Sequence, residues 1–191
     1  RARRVGGVAA NAARAARALH PAAVRLVAAL GDDADARWLH QTLAAAGIDC
    51  HPVEAGGRAS GRYTVVHDAE GELFVGLSDV DIAETLEARA VRERLGHTPP
   101  AALVFDANLH PDCLAESLEE GGSGGHRDGV PRIALAVSPH KAPRFAPHLA
   151  ALDLLFCNRR EAAALGTVGD DQGSGQGSGQ GSGQGSGRGN G

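Results

Sequence analysis

The 191-residue sequence contains no methionine, three cysteines and few aromatic residues, which make up 3% of the chain. The cysteines, Cys50, Cys113 and Cys157, lie far apart, which excludes a disulfide framework and a CxxC metal motif. Sparse cysteine of this kind is typical of reducing compartments, so we expect an intracellular soluble protein, with the cytoplasm favoured. Because a complete translated chain begins with methionine and this one begins with Arg1, we also expect a piece of a longer protein.

An excess of one charge, a long apolar run and the common nucleotide-binding motifs are missing as well. The 19 basic and 23 acidic residues leave a formal net charge of −4, which excludes a nucleic-acid footprint built on surplus lysine and arginine. No apolar run approaches the roughly 20 residues of a membrane-spanning helix. Neither G-x-G-x-x-G nor G-x-x-x-x-G-K-[ST] occurs. We therefore expect neither nucleic acid nor a membrane as a partner.

The composition changes sharply after Leu165. Residues 166–191 consist largely of Gly, Ser, Gln and Asp, and the unit Gln-Gly-Ser-Gly repeats through residues 172–187. Such a segment has almost no apolar surface to offset the entropy lost on ordering, so we expect a disordered tail behind a domain of residues 1–165. The tail is open to three interpretations: a linker, a low-complexity extension, or out-of-frame translation of GC-rich DNA. Residues 121–125, all glycine and serine, predict a flexible loop inside the domain.

Within the domain, short apolar runs alternate with helical patterns. Val24–Leu30 is a predicted strand that ends before Gly31, and the helix predicted over residues 34–46 has Asp33 as its N-cap. This alternation predicts an α/β fold with a mostly parallel sheet covered by helices on both faces. The other predicted strands are residues 101–105, 132–137 and 152–157, and the other predicted helices are residues 11–19, 114–120, 143–151 and the segment from Arg160.

One segment predicts antiparallel structure instead. Residues 61–67 and 72–77 flank a turn that ends in Gly71, where a left-handed backbone is needed. We interpret this segment as a β-hairpin that is either a lid over a site or an ordinary hairpin at a sheet edge. Asp79 and Asp81 follow it and share one face if the strand continues, where they either bind ligand hydroxyls or are solvated.

Two groups of residues are candidates for binding an oxygen-rich ligand. Gly6 and Gly7 precede a helix and permit close approach to the backbone, and Asn11 supplies an amide that donates and accepts, as sugar recognition requires. Asp106 and Asn108 follow a predicted strand, and open α/β sheets bind ligands at the carboxyl ends of their strands. Each group also has a plain structural interpretation, as a glycine turn before a helix or as a turn former.

A third candidate lies where the last predicted strand runs into a helix. Asn158 and Glu161, three positions apart, either present oxygens to a hydrated magnesium ion or form a capping box, and the two roles are compatible. His110 and Cys113 come nearest to a metal pair, but without a second pair we do not expect zinc.

The order of these segments resembles the ribokinase-like (PfkB) carbohydrate kinases, and most closely their pseudouridine kinase branch. The segments that carry the resemblance are residues 6–13 (Gly-Gly-Val-Ala-Ala-Asn-Ala-Ala), the Gly-Asp turn at 31–32, the hairpin at 63–77, residues 78–82 (Ser-Asp-Val-Asp-Ile), residues 106–109 (Asp-Ala-Asn-Leu) and residues 158–161 (Asn-Arg-Arg-Glu). The resemblance implies a three-layer ribokinase-like parallel sheet with a small β-hairpin lid at about residues 60–78, incomplete at its C-terminal side.

The same resemblance implies a reaction and roles for the candidate residues. The reaction is transfer of a phosphoryl group from ATP, with Mg²⁺, to a hydroxyl of a sugar or nucleoside, pseudouridine being the favoured acceptor. It places Gly6, Gly7, Asn11 and Asn108 at the sugar. It places Asn158 and Glu161 where Mg–ATP is organised, while the lid excludes water and contributes to homodimer contacts.

The sequence also departs from the family pattern. The family's Gly-Ala-Gly-Asp motif, whose N–H groups form an anion hole and whose Asp accepts the proton of the attacking hydroxyl, is missing. The family's first strand would precede Arg1, and Leu135 and Ala136 replace an acidic residue and a proline. We therefore identify no catalytic residue and expect this chain to be inactive alone. Two alternatives stay open: a non-catalytic sugar- or nucleoside-binding relative, or a non-functional fragment of a gene model.

Overall fold

A computed structural model describes residues 3–119 and 129–170 of the chain. The glycine loop predicted at residues 121–125 and the repeats of residues 172–187 lie outside the described residues. Across the described ranges, the chain alternates strands and helices and contains no helix long and apolar enough to cross a membrane.

The first half of the chain forms a parallel strand pair with its helices. Helix α1 (Val8–Leu19) leads into strand β1 (Val24–Leu30), and helix α2 (Ala34–Ala45) connects β1 to strand β2 (Ile48–Glu54), which pairs with it in parallel. One apolar cluster of this half is formed by the buried residues Ala13, Leu26, Leu43, Ile48 and Cys50.

The predicted hairpin follows. Strand β3 (Arg62–His67) and strand β4 (Leu73–Asp79) pair antiparallel, and Gly71 in their turn has a φ of 86°. The hairpin prediction is therefore confirmed, together with the need for glycine at the end of its turn.

The second half contains a three-stranded parallel sheet in the order β5-β6-β7. The elements of this second half are, in chain order, a short 3-10 helix (Asp81–Thr85), α3 (Ala88–Leu95), β5 (Leu103–Asp106), α4 (Pro111–Glu119), β6 (Arg132–Leu135), a long 3-10 helix (Ala142–Ala151), β7 (Leu154–Phe156) and α5 (Arg159–Asp170). The sheet packs against α4 and the long 3-10 helix through fully buried Leu114 and Phe145. The predicted α/β fold is confirmed, although in the described residues β1 does not pair with β5, so the parallel strands form two sheets.

Several elements differ from their predicted form for local reasons. Helix α1 begins at Val8 rather than at residue 11, because the carbonyl of Gly7 already accepts the N–H of Asn11 at 3.0 Å. The predicted helix at residues 143–151 is a 3-10 helix, since Pro147 inside it removes an N–H donor and disfavours α geometry. Helix α5 continues to Asp170, five residues into the expected tail.

Strand β2 and helix α3 are absent from the sequence predictions. Pro52 interrupts the strand pattern of β2, yet it is tolerated because β2 is an edge strand with only β1 as a partner in the described sheet. Helix α3 has only eight residues and is rich in arginine, so its apolar stripe of Ala88, Val91 and Leu95 is too short to indicate a helix from the sequence.

Candidate functional site

The carboxyl end of β5 meets the N-terminus of α1. The Asp106 carboxylate accepts the backbone N–H of Ala9 at 3.2 Å and that of Asn108 at 2.9 Å. The side-chain nitrogen of Asn108 also donates to Asp106 Oδ2, at 3.2 Å. Because Gly7 has no side chain with which to cap α1, the Asp106 carboxylate supplies both the acceptor and the negative charge that a helix N-terminus favours.

The glycine turn lies at this same place. Gly7 has a φ of 93°, a backbone conformation that glycine adopts without strain. A Cβ atom built on Gly6 or Gly7 meets no atom within 4 Å, so the space beside the turn is open. The structure therefore brings Gly6 and Gly7 into one neighbourhood with Asn108. Asn11 is exposed in the first turns of α1, and its side chain makes no hydrogen bond with any described residue.

Three charged residues that the sequence analysis missed complete this neighbourhood. Lys141 donates from Nζ to Asn108 Oδ1 at 3.1 Å and lies 3.8 Å from Glu84 Oε1. The Arg144 guanidinium donates to Glu84 Oε1 at 2.6 Å, and it also donates to the carbonyls of Ala107 and Leu109 at 3.2 and 2.8 Å. The guanidinium of Arg144 lowers the pKa of Glu84, with a smaller contribution from Lys141. Because Glu84 and Arg144 are 60 positions apart, no local sequence pattern signals their contact.

The turn that carries Lys141 is strained. Val137, just beyond β6, has a φ of 66°, and the N–H of Ser138 bonds the carbonyl of Ala136 at 2.7 Å across it. This is a γ-turn of the strained type, and a β-branched residue is unusual in it. The carbonyl of Ser138 then accepts the N–H groups of Lys141 and Ala142, at 3.1 and 2.8 Å, and starts the long 3-10 helix. The predicted strand at 132–137 is shorter than expected because of this turn.

The strain at Val137 predicts that a glycine substitution there is less destabilising than an alanine substitution, the reverse of the usual order. Val137→Gly removes the positive-φ penalty of about 1–2 kcal/mol, whereas Val137→Ala keeps that penalty, and both lose the same packing contacts to within one methyl group. We expect the glycine variant to be more stable than the alanine variant by about 1 kcal/mol in urea unfolding, although glycine normally destabilises. An alanine variant as stable as the glycine variant, or more so, would contradict the strain at this residue.

A second polar cluster lies at the carboxyl end of β1. The Asp33 carboxylate accepts the N–H of Ala36, the N–H of Ser60 and the hydroxyl of Ser60, each at 2.8 Å. Ser60 is fully buried, and its hydroxyl oxygen accepts the N–H of Gly31 at 3.1 Å. Asp33 thus caps α2 as predicted, and it also ties the segment before the hairpin to the end of β1.

These hydrogen bonds lower the pKa of Asp33 from 3.8 to about 2, with the backbone N–H of Ser60 contributing most. Since the pKa in the folded state lies below that of the unfolded chain, the bonds stabilise the fold above about pH 4 and lose this effect as the pH falls toward 2. We expect the free energy of unfolding of the Asp33→Asn variant to fall less steeply over that range than that of the wild-type chain. Urea unfolding at several pH values measures both slopes, and equal slopes would contradict this assignment.

Asn158 and Glu161 form the capping box. Asn158 Oδ1 accepts the N–H groups of Arg160 and Glu161 at 2.9 and 3.0 Å, and Glu161 Oε2 accepts the N–H of Asn158 at 2.8 Å. Glu161 is 7% exposed, and its Oε1 makes no hydrogen bond with a described residue. One free carboxylate oxygen fits a magnesium ion that keeps most of its waters and takes other ligands from phosphate.

The remaining polar candidates do not assemble into a site. The ring nitrogen Nδ1 of exposed His110 accepts the backbone N–H of Asp112 at 3.3 Å. Cys113 is buried in the apolar core, where burial raises the pKa of its thiol. Asp79 is the last residue of β4 and Asp81 begins the short 3-10 helix, so the strand does not continue through both, and both are exposed. Residues 3–119 and 129–170 contain no group of three or more His, Cys, Asp or Glu placed to hold a metal ion.

Comparison with known proteins identifies one family and several solved structures with a similar fold. Residues 2–173 match the pfkB family of carbohydrate kinases. A carbohydrate kinase from Agrobacterium tumefaciens is 29% identical, with a TM-score of 0.71 over 84% of this chain and 52% of that chain. No curated protein sequence matches this chain.

Two adenosine kinases share the fold at lower identity. The enzyme from Anopheles gambiae, in complex with P1,P4-di(adenosine-5) tetraphosphate, is 15% identical, with a TM-score of 0.69 over 87% of this chain and 54% of that chain. The enzyme from Schistosoma mansoni, in complex with adenosine, is 12% identical, with a TM-score of 0.67 over 88% of this chain and 51% of that chain. The chain thus spans about half the length of the solved structures it resembles.

Proposed function

Because the chain belongs to the pfkB family of carbohydrate kinases, we propose that the carboxyl end of β5 binds the sugar or nucleoside that such a kinase phosphorylates with ATP. The observation that carries this proposal is the hydrogen-bond network that joins Ala9, Asp106, Asn108 and Lys141 beside an open glycine turn. Donors and acceptors that converge next to exposed backbone suit a ligand rich in hydroxyl groups.

The residues divide into two groups by role. Gly6, Gly7, Asn11 and Asn108 contact the sugar, the two glycines by close backbone approach and the two asparagines through their amides. A magnesium ion, when bound, neutralises charge on the ATP phosphates. Glu161 is the residue that would hold it through water, and Asn158 organises this site because its backbone N–H fixes the Glu161 carboxylate at the end of β7.

Pseudouridine is the acceptor we favour. Residues 78–82 and 106–109 support this choice by their similarity to pseudouridine kinase sequences. The solved relatives described above are a carbohydrate kinase and adenosine kinases, so adenosine and ribose are the competing acceptors to test.

The chain itself is proposed to bind the acceptor without phosphorylating it. No Gly-Ala-Gly-Asp segment occurs in the sequence, so no residue is identified that would accept the proton of the attacking hydroxyl. The test incubates the 191-residue chain with radiolabelled ATP, Mg²⁺ and each of pseudouridine, adenosine and ribose, and titrates the same ligands by calorimetry. We expect binding without a phosphorylated product. Turnover would overturn the proposed inactivity, whereas the absence of any binding would overturn the proposed site.

The alternative of a fragment without function rests on exposed apolar side chains. Val104 on β5 and Leu154 and Phe156 on β7 are 49%, 47% and 57% exposed, which leaves part of the sheet uncovered. That alternative predicts aggregation or loose packing, and a cooperative thermal unfolding transition would speak against it.

We also propose that the hairpin forms a lid that pairs with a second copy of the chain. Apolar side chains are exposed on both of its faces, with Tyr63 and Val65 on one and Val66 and Leu77 on the other. One face can close over the acceptor while the other contacts a partner. We expect Leu77→Ser to shift the chain from dimer to monomer in light scattering, while Leu149→Ser, a loss of an exposed leucine elsewhere, leaves the dimer intact. A monomeric wild-type chain would overturn this proposal.

A further inference from the structure

Lys141 is the only lysine among the 19 basic residues of the sequence. Its side chain is 15% exposed, and its ammonium group lies between Asn108 Oδ1 at 3.1 Å and Glu84 Oε1 at 3.8 Å. Lysine and arginine are not interchangeable here, because an ammonium is compact and fits between two closely spaced acceptors, whereas a guanidinium is broad and planar. The single lysine of the sequence thus lies between two acceptors, a place that suits a compact cation.

The contacts of Asn108 decide which way its amide is turned. Its oxygen faces the Lys141 ammonium and its nitrogen faces the Asp106 carboxylate. The flipped amide would place NH2 against an ammonium and a carbonyl oxygen against a carboxylate, and both contacts would be repulsive. One hydrogen of the Asn108 side-chain nitrogen is left without a partner among the described residues.

We propose that Lys141 is a positioning residue, which holds Asn108 so that this remaining N–H donates to an oxygen of the bound acceptor. The inference rests on the proposed function, since it takes the carboxyl end of β5 as the acceptor site. It also defines the ligand atom that Asn108 contacts: a hydroxyl or carbonyl oxygen that accepts, and not an amine or other group that only donates.

The turn before Lys141 supports this role independently. Val137 is held at a φ of 66°, and Ser138 accepts the N–H of Lys141 with its carbonyl at 3.1 Å and with its hydroxyl at 3.3 Å. Backbone strain in a non-glycine residue persists where the surrounding structure demands it, and it concentrates at functional sites. Here the strained turn sets the start of the long 3-10 helix and, with it, the position of the Lys141 side chain.

Side-chain NMR of the unliganded 191-residue chain tests the contact itself. With one lysine and four asparagines, the ammonium and amide signals are few enough to assign. We expect Lys141→Met to shift the two Asn108 amide protons, and Lys141→Gln to shift them too if the Met variant folds poorly. Arg89→Met removes an equal charge from an exposed pair with Glu93 and should leave them unchanged. Unchanged Asn108 signals in a folded Lys141 variant would overturn the proposal.

Calorimetric titration with pseudouridine, adenosine and ribose tests the consequence for binding. We expect Lys141→Met and Asn108→Ala each to weaken binding by at least about tenfold, as loss of a charge-assisted hydrogen bond does. The double variant should bind no more weakly than Asn108→Ala, because Lys141 acts only through Asn108. If the two losses of affinity multiply in the double variant, Lys141 contributes to binding independently of Asn108, and the positioning role is overturned. If the wild-type chain binds none of the three ligands, the proposed function fails, and the NMR result still decides the contact between Lys141 and Asn108.

Discussion

Gly31→Ala is expected to destabilise the chain by roughly 3 kcal/mol or more, which for a domain of marginal stability is a large part of the total. A Cβ atom at Gly31 would lie 2.3 Å from the carbonyl oxygen of Arg58, 2.7 Å from the nitrogen of Ser60 and 2.9 Å from the carbonyl carbon of Ala59. All three neighbours are backbone atoms, so the strain has no flexible side chain to absorb it. The segment at residues 58–60 would have to move, and the bonds of Ser60 to Gly31 and Asp33 would break.

Urea unfolding measures this effect, and the chain offers a matched control. Gly56 lies nearby in sequence, and a Cβ atom built on it meets nothing within 4 Å. Gly56→Ala should therefore change the free energy of unfolding by less than about 0.5 kcal/mol. If the free energy of unfolding of Gly31→Ala lies within about 1 kcal/mol of the wild-type value, residues 58–60 do not approach Gly31 this closely.

Asp106→Asn is expected to have the largest effect on the site, a loss of acceptor affinity of roughly 100-fold. Asp106 accepts three N–H groups, one from Ala9 and two from Asn108. An asparagine at this position has a single acceptor oxygen, so in either orientation its NH2 group faces a donor. The loss would free the amide of Asn108 and remove the negative charge that holds the N-terminus of α1 beside β5.

The control for this prediction is Asp112→Asn, the same change on an exposed aspartate of α4. Calorimetry should find unchanged affinity for pseudouridine in that variant. Hydrogen exchange should find the first turn of α1 opening faster in Asp106→Asn than in the wild-type chain. Unaltered affinity for pseudouridine in a folded Asp106→Asn variant would show that Asp106 does not contribute to the acceptor site.

The features that sequence reasoning recovered are set by residues close together in the chain. The N-cap of α2 depends on Asp33 and an N–H three residues away, and β1 depends on a continuous apolar run. The hairpin depends on glycine at the end of its turn. The placement of Asp106 and Asn108 at a carboxyl edge follows from the position of β5 alone, since any parallel strand presents its following residues there.

The features that sequence reasoning missed depend on contacts between distant residues or on strain. Nothing around Glu84 indicates that Arg144 will bond it, and nothing around Lys141 indicates that Asn108 lies within 3.1 Å. The positive φ of Val137 is equally invisible, because valine ordinarily favours a strand. Asn158 and Glu161 were ambiguous for another reason: one spacing serves a cap and a metal site alike, and the structure shows the cap.

The most direct test of the account is a crystal structure of the chain soaked with pseudouridine. We predict the ribose beside the turn of Gly6 and Gly7, with one of its oxygens within hydrogen-bond distance of the Asn108 side-chain nitrogen, and Lys141 still bonded to the Asn108 oxygen. A ligand bound elsewhere on the molecule, or no bound ligand at saturating concentration, would contradict the assignment of this edge as the acceptor site.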